Sequence, residues 1–136
     1  RLRMSSVYYM AALMTAITGK TYLVAGTSNK CELYVGYFTK GGDSVSDIKV
    51  ISDLCVDEVI KVGEVVGVPE KVLYKPPSDG LSGKTDEDNL GFTYAVLDRY
   101  IREGICEDEE IKNKIDRMHK INQFKLELMP IFPYEP

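Results

Sequence analysis

Seven consecutive residues, Gly26-Thr27-Ser28-Asn29-Lys30-Cys31-Glu32, are of the types that can hold a nucleotide. They follow the apolar run Tyr22-Leu23-Val24-Ala25 and stand where a buried strand would give way to a helix. In open α/β sheets, ligands bind beyond the carboxyl ends of the strands, where helix N-termini offer N–H groups without partners. Thr27 would bring a hydroxyl and a backbone amide to that place. Glu32, one turn into the helix, could reach a magnesium ion held between phosphates. The same spacing also has a ligand-free meaning. Asn29 followed three residues later by Glu32 is a capping box, in which each side chain satisfies the other's backbone N–H. Lys40 likewise could simply complement the negative end of its helix. His119, the single histidine, sits beside Lys120 on the last helix and reads by default as an exposed surface residue.

The cysteines offer less chemistry. Cys31, Cys55 and Cys106 are odd in number and widely spaced, with no C-x-x-C pair and no histidine nearby. That pattern predicts packed free thiols in a reducing cytosol rather than a zinc site or a disulfide framework. A net charge of −4 and a pI near 5.1 argue against a general nucleic-acid binder, which needs a positive field. No polybasic run suggests a membrane surface.

Several elements must position these residues. Residues 1–18 read as a helix with Met4, Tyr8, Ala11 and Thr15 on one side and Val7, Met10, Met14 and Ile17 on another. A helix apolar on both sides must be sandwiched, between its own sheet and something else, such as a partner subunit. Its Ser, Thr and Tyr residues break it too often for a membrane span, and it lacks a signal-peptide cleavage site. Because Arg1 enters directly into helical pattern, the chain is expected to begin in mid-protein. A strand over 22–25 leads to a helix from the Gly26–Asn29 segment to Thr39 or Lys40, closed by Gly41-Gly42. A short second strand over 48–51 and a helix over 56–66 follow. The polar stretch 75–84, with two Pro and two Gly, reads as a lid-like loop. Two more helices are marked by Leu90, Tyr94, Leu97 and Ile101, and then by Ile111, Ile115, Met118, Ile121 and Phe124. This order is that of half an α/β domain, since one or two strands cannot make a doubly wound sheet.

Taken together, segments along nearly the whole chain resemble the ammonia-dependent NAD synthetases of the N-type ATP pyrophosphatase superfamily. They are Arg1-Leu2-Arg3-Met4, Gly26 to Glu32, Gly36-Tyr37-Phe38-Thr39-Lys40-Gly41-Gly42-Asp43, Ser46-Asp47-Ile48, Lys75-Pro76-Pro77-Ser78, Thr85 to Gly91 and His119-Lys120. The resemblance implies the second half of a doubly wound, parallel-sheet, Rossmann-like domain of the adenine nucleotide alpha hydrolase type, with a helix-rich C-terminus. Residues 1–136 would be the C-terminal portion of one such domain, without the Ser-Gly-Gly-x-Asp-Ser pyrophosphate loop, so that the chain alone would not make NAD. In the family, ATP adenylates the nicotinate carboxylate of deamido-NAD, and ammonia then displaces AMP. No protein nucleophile is needed, so positioning and charge neutralisation carry the catalysis.

Carried over, Thr27 and Ser78 match ATP contacts and Glu32 matches a magnesium ligand. Arg1, Lys40, Asp47, His119 and Lys120 match contacts to deamido-NAD, whose pyrophosphate and carboxylate suit Arg and Lys. Val56 departs from a family lysine that reaches ATP, leaving Lys75 and Lys84 as candidates for that charge. The family is homodimeric and cytoplasmic, which would give the helix over 1–18 a partner. Two other readings stay open: the synthetase domain of a glutamine-dependent enzyme, and a noncatalytic dimerisation or nucleotide-binding fragment.

Overall fold

The structure, a computed structural model, describes residues 1–78, 80 and 82–135; Asp79 and Leu81 of the expected polar loop lie outside them. Helix α1 (Leu2–Thr18) ends at Gly19, whose φ of 69° is the left-handed stop that glycine allows. The hydroxyls of Ser6, Thr15 and Thr18 donate to carbonyls one turn back, so its polar groups are satisfied locally. Thr15 also accepts the Tyr22 N–H at 3.1 Å, which turns the chain back along the helix.

Strands β1 (Ala25–Gly26) and β2 (Ile48–Lys49) pair in parallel, with Ala25 opposite Ile48 and Gly26 opposite Lys49. This is the parallel α/β arrangement expected, in a short form. The apolar run predicts a longer buried strand, yet Tyr22 and Leu23 are exposed and only Val24 and Gly26 are buried hereabouts. Asp47 ends the ladder: its Oδ2 accepts the Val24 N–H at 2.7 Å, a donor that a longer strand would have offered to its neighbour. Gly26 is required by proximity, since a Cβ there would lie 2.4 Å from Ser46 Oγ.

Helix α2 (Lys30–Val35) starts on the Asn29–Glu32 capping box and stops at Gly36, short of the expected Thr39 or Lys40. The cause is tertiary. Asn122 donates its amide to Val35 O at 3.0 Å, and a Cβ on Gly36 would come 2.2 Å from Asn122 Cβ. Helix α3 (Val56–Val65) lies where expected, followed by the short α4 (Glu70–Leu73). The helix expected through Leu90 and Ile101 is two, α5 (Asp86–Leu90) and α6 (Tyr94–Glu103). Gly91 turns left-handed between them, and Thr93 restarts the chain by accepting the Val96 N–H. Helix α7 (Glu109–Asn122) begins on an Asp108 cap and runs into a 3-10 turn, Gln123–Lys125.

The core lies among α2, α3, α6 and α7, with Cys31, Val35, Leu97 and Ile115 fully buried. Asp98 is the one charged member of its centre. Its Oδ1 accepts the Cys31 thiol at 2.7 Å, and its Oδ2 accepts the Asp57 N–H at 3.0 Å, at the start of α3. Burial and the Asp98 carboxylate push the Cys31 thiol up, so it stays a protonated donor. Sγ of Cys31, Sγ of Cys55 and an Asp98 oxygen all lie within 4.8 Å of one another. The thiol–carboxylate bond and the helix-start N–H account for that cluster. All three cysteines are free thiols, as the spacing predicts.

Helix α1 behaves differently. It contributes no buried residue, and Leu2, Tyr9, Met10 and Ile17 are half-exposed or more. Among the described residues no helix is long and apolar enough to cross a membrane.

Candidate functional site

The site forms at the carboxyl end of β1, where the strand gives way to α2. A cleft of about 880 Å³ opens there. Thr27 and Ser28 form its floor, the first residues of α1 one rim, and the turn after α2 another. Ser78 and Asp86 approach from the chain's second half.

Glu32 serves two purposes. Its Oε2 accepts the Asn29 N–H at 3.0 Å while Asn29 Oδ1 accepts the Glu32 N–H at 2.9 Å, which is the capping box the spacing predicts. The same side chain lines the cleft. Burial pushes its carboxyl up to about 7 against the lowering effect of the Asn29 N–H, and the carboxylates of Asp86 and Asp43 add to the rise. Three acidic groups therefore share one wall, and each disfavours ionisation of the others.

Asp86 was not among the residues singled out from the sequence. It is buried in the first turn of α5 and accepts a hydrogen bond from the Tyr94 hydroxyl at 3.4 Å. Burial and then Asp86 push the Tyr94 phenol up, so that hydroxyl remains a donor. The only local signal was the acidic run after Thr85. Lys125 was also missed: it lines the cleft although it lies far along the chain in the 3-10 turn. No periodicity or spacing could have found it.

The structure brings four of the eight residues carried over from the resemblance onto this cleft: Arg1, Thr27, Glu32 and Ser78. The other four are elsewhere. Asp47 is held by the Val24 N–H and, at 3.3 Å, by the Tyr8 hydroxyl, tying α1 to β1. The Lys40 ammonium donates to Phe124 O and sits 5.3 Å from that residue's ring centre. His119 is half-buried rather than surface-exposed: its ring stacks on Tyr34 at 4.1 Å, with Nδ1 2.8 Å from Tyr34 O. Lys120 is exposed beside it.

Val56 is partly buried against the core and offers no cation. Of the two lysines considered in its place, Lys84 borders a second cleft of about 310 Å³ together with Ser78 and Thr85. Lys75 is exposed and borders neither cleft.

A family model for NAD synthase matches residues 1–129. The chain is 44% identical over 137 aligned positions to an NH(3)-dependent NAD(+) synthetase of Syntrophomonas wolfei, covering 100% of this chain and 52% of that protein. It is 46% identical over 103 positions to the corresponding synthetase of Methanococcoides burtonii, covering 75% and 37% of the two chains. In structure it is similar to NMN synthetase from Francisella tularensis, with a TM-score of 0.86, 34% identity, and coverage of 98% and 53%. An NH3-dependent NAD synthetase from Campylobacter jejuni gives a TM-score of 0.65 at 25% identity, with coverage of 97% and 52%. The chain spans about half the length of the curated relatives it matches.

Proposed function

The chain belongs to the NAD synthase family, and we propose that it supplies the C-terminal portion of a synthetase domain that amidates deamido-NAD with ammonia, using ATP. The observation that carries this reading is the cleft at the end of β1, which gathers Arg1, Thr27, Glu32 and Ser78 beside an acidic wall. In the reaction the nicotinate carboxylate attacks the α-phosphorus of ATP and pyrophosphate leaves. Ammonia then attacks the activated carbonyl, AMP departs, and a proton is lost from nitrogen.

Each step asks for placement rather than a nucleophile. Thr27 and Ser78 donate hydroxyl hydrogen bonds to ATP, and the first N–H groups of α2 favour negative charge beside them. Lys84, next to Ser78 on the second cleft, supplies the cation that Val56 does not. Arg1 holds an anionic group of the dinucleotide. The carboxyls of Glu32, Asp86 and Asp43 fit a divalent cation, because their mutual repulsion is what such a charge would relieve. Magnesium bound there would neutralise phosphate charge during adenylation.

Lys40, Asp47, His119 and Lys120 lie away from the cleft, so their contacts to deamido-NAD require a site completed across a homodimer. The uncovered apolar residues of α1 support that seam. The free thiols accord with a cytoplasmic setting.

A second reading is that the substrate is nicotinate mononucleotide and the product NMN. The TM-score of 0.86 to an NMN synthetase favours it. Assay of the full-length protein with ATP and ammonium, offering each nucleotide in turn, decides. Preference for deamido-NAD is expected. Preference for the mononucleotide establishes the second reading, and dependence on glutamine in place of ammonium overturns the ammonia assignment. Absence of AMP formation with either nucleotide leaves only a noncatalytic binding role.

A further inference from the structure

Two lysines bracket the turn that follows α2, and only one belongs to the cleft. Lys40 donates to Phe124 O and lies over the Phe124 ring, away from the cleft lining. The very next residue after Phe124 is Lys125, which does line the cleft. Its Nζ donates to Gly36 O at 2.7 Å and to Phe38 O at 3.1 Å, and it lies 5.4 Å from the Phe38 ring centre. An ammonium has three donors, and two are used. Carbonyls and a ring face fix the charge without cancelling it, and among the described residues Lys125 forms no ion pair. Lys30, Lys61 and Lys112 each do. A half-buried cation, immobilised and not neutralised, in a cleft whose other wall is acidic, is suited to receive an oxyanion.

The geometry points to Lys125 as a binding residue for an oxyanion, phosphate or carboxylate, of the nicotinate nucleotide, with Lys40 as the positioning residue that fixes it through Phe124. This rests on the amidation proposed above. The bland alternative is that Lys125 only caps the carbonyl end of α2.

The test uses the full-length enzyme with K125M, K125R and K40M. K125M is expected to raise KM for the nicotinate nucleotide about tenfold or more, with KM for ATP changed less than about twofold, and K125R to recover most of the loss. K40M is expected to shift the same KM by less, and to add nothing in the K125M background. An unchanged KM with a lowered melting temperature would overturn the proposal, leaving Lys125 a structural cap. A rise in KM for ATP instead would overturn the choice of ligand and with it the proposal.

Should K125M fail to fold, lysine acylation of the wild type, read by mass spectrometry, replaces it. The nicotinate nucleotide is expected to slow labelling of Lys125 several-fold, while ATP alone leaves it unchanged. An active enzyme with unprotected Lys125 sinks this proposal and leaves the reaction standing. A wild type that neither binds nor amidates a nicotinate nucleotide removes both.

Discussion

The helical second half of the molecule and its first helix follow opposite rules. Between α2 and α7, apolar side chains find one another: Val35, Leu90, Leu97 and Ile115 are sealed, and even the carboxylate among them has two donors. In α1, Leu2 and Ile17 remain 87% and 68% exposed. Both regions are rich in apolar residues, so composition does not separate them. What separates them is whether this chain supplies the covering surface. The core closes on itself, whereas α1 and the cleft beside it present surface suited to something further. Stability is thus expected to reside in one region and association in the other.

The strongest way to break that division is Leu97→Ala. The side chain is fully buried at the centre of the core, so the substitution is expected to cost about 2–5 kcal/mol in urea denaturation. A loss below about 1 kcal/mol would show that α6 is not anchored as described.

Gly36→Ala comes next. The residue combines a φ of 70° with a Cβ position 2.2 Å from Asn122 Cβ, so strain and overpacking add to about 2–4 kcal/mol. Gly104→Ala is the control, with similar φ but open space around it, and is expected to lose only about 1 kcal/mol.

At the boundary between the regions, Glu32 makes stability depend on pH. Folding raises its carboxyl from the ordinary value to about 7, so the folded state holds the proton more tightly than the unfolded chain. The contribution is complete below about pH 4.3, and is lost as pH rises through the window ending near 7. Its size is on the order of 2 kcal/mol. Denaturation midpoints measured across that range are expected to fall with pH in the wild type and to flatten in Glu32→Gln. Added magnesium is expected to stabilise more at pH 8 than at pH 6, because a proton no longer competes. A wild-type profile as flat as the variant's would show that the three carboxyls do not interact.

The smallest effect on folding is expected from Ile17→Ser, under about 0.5 kcal/mol, because nothing in this chain covers the side chain. The same substitution is expected to weaken self-association measured by analytical ultracentrifugation. Unaltered association would remove Ile17 from the dimer seam.

How much was legible in the sequence follows the range of the interactions that decide each feature. The extents of α1 and α3 could be read because periodicity and flanking Gly19 or Gly67 are local signals. The Asn29–Glu32 box was readable for the same reason. The end of α2 was not, since Asn122 stops it from 86 positions away by taking the Val35 carbonyl. The division between α5 and α6 did carry local marks, Gly91 and Thr93, but the apolar spacing of Leu90, Tyr94 and Leu97 runs smoothly across them. In the cleft, Thr27 and Glu32 follow from the strand-to-helix junction alone. Arg1 and Ser78 entered through family resemblance. Asp86 and Lys125 reach the same space only once distant elements pack, and no short-range pattern announces that.

The bonds that join the turn after α2 to the last helix also constrain how the molecule comes into being. Val35 to Asn122, Gly36 to Lys125 and Lys40 to Phe124 span 84–89 positions of chain. Contacts so distant in sequence are entropically expensive to close and slow to form. During synthesis from the N-terminus, residues 36–40 must wait for nearly all that follows before they meet these partners. The cleft wall is therefore among the last parts to be built, and a ribosome-bound chain halted before Asn122 would carry a nucleotide-facing helix with no fixed end.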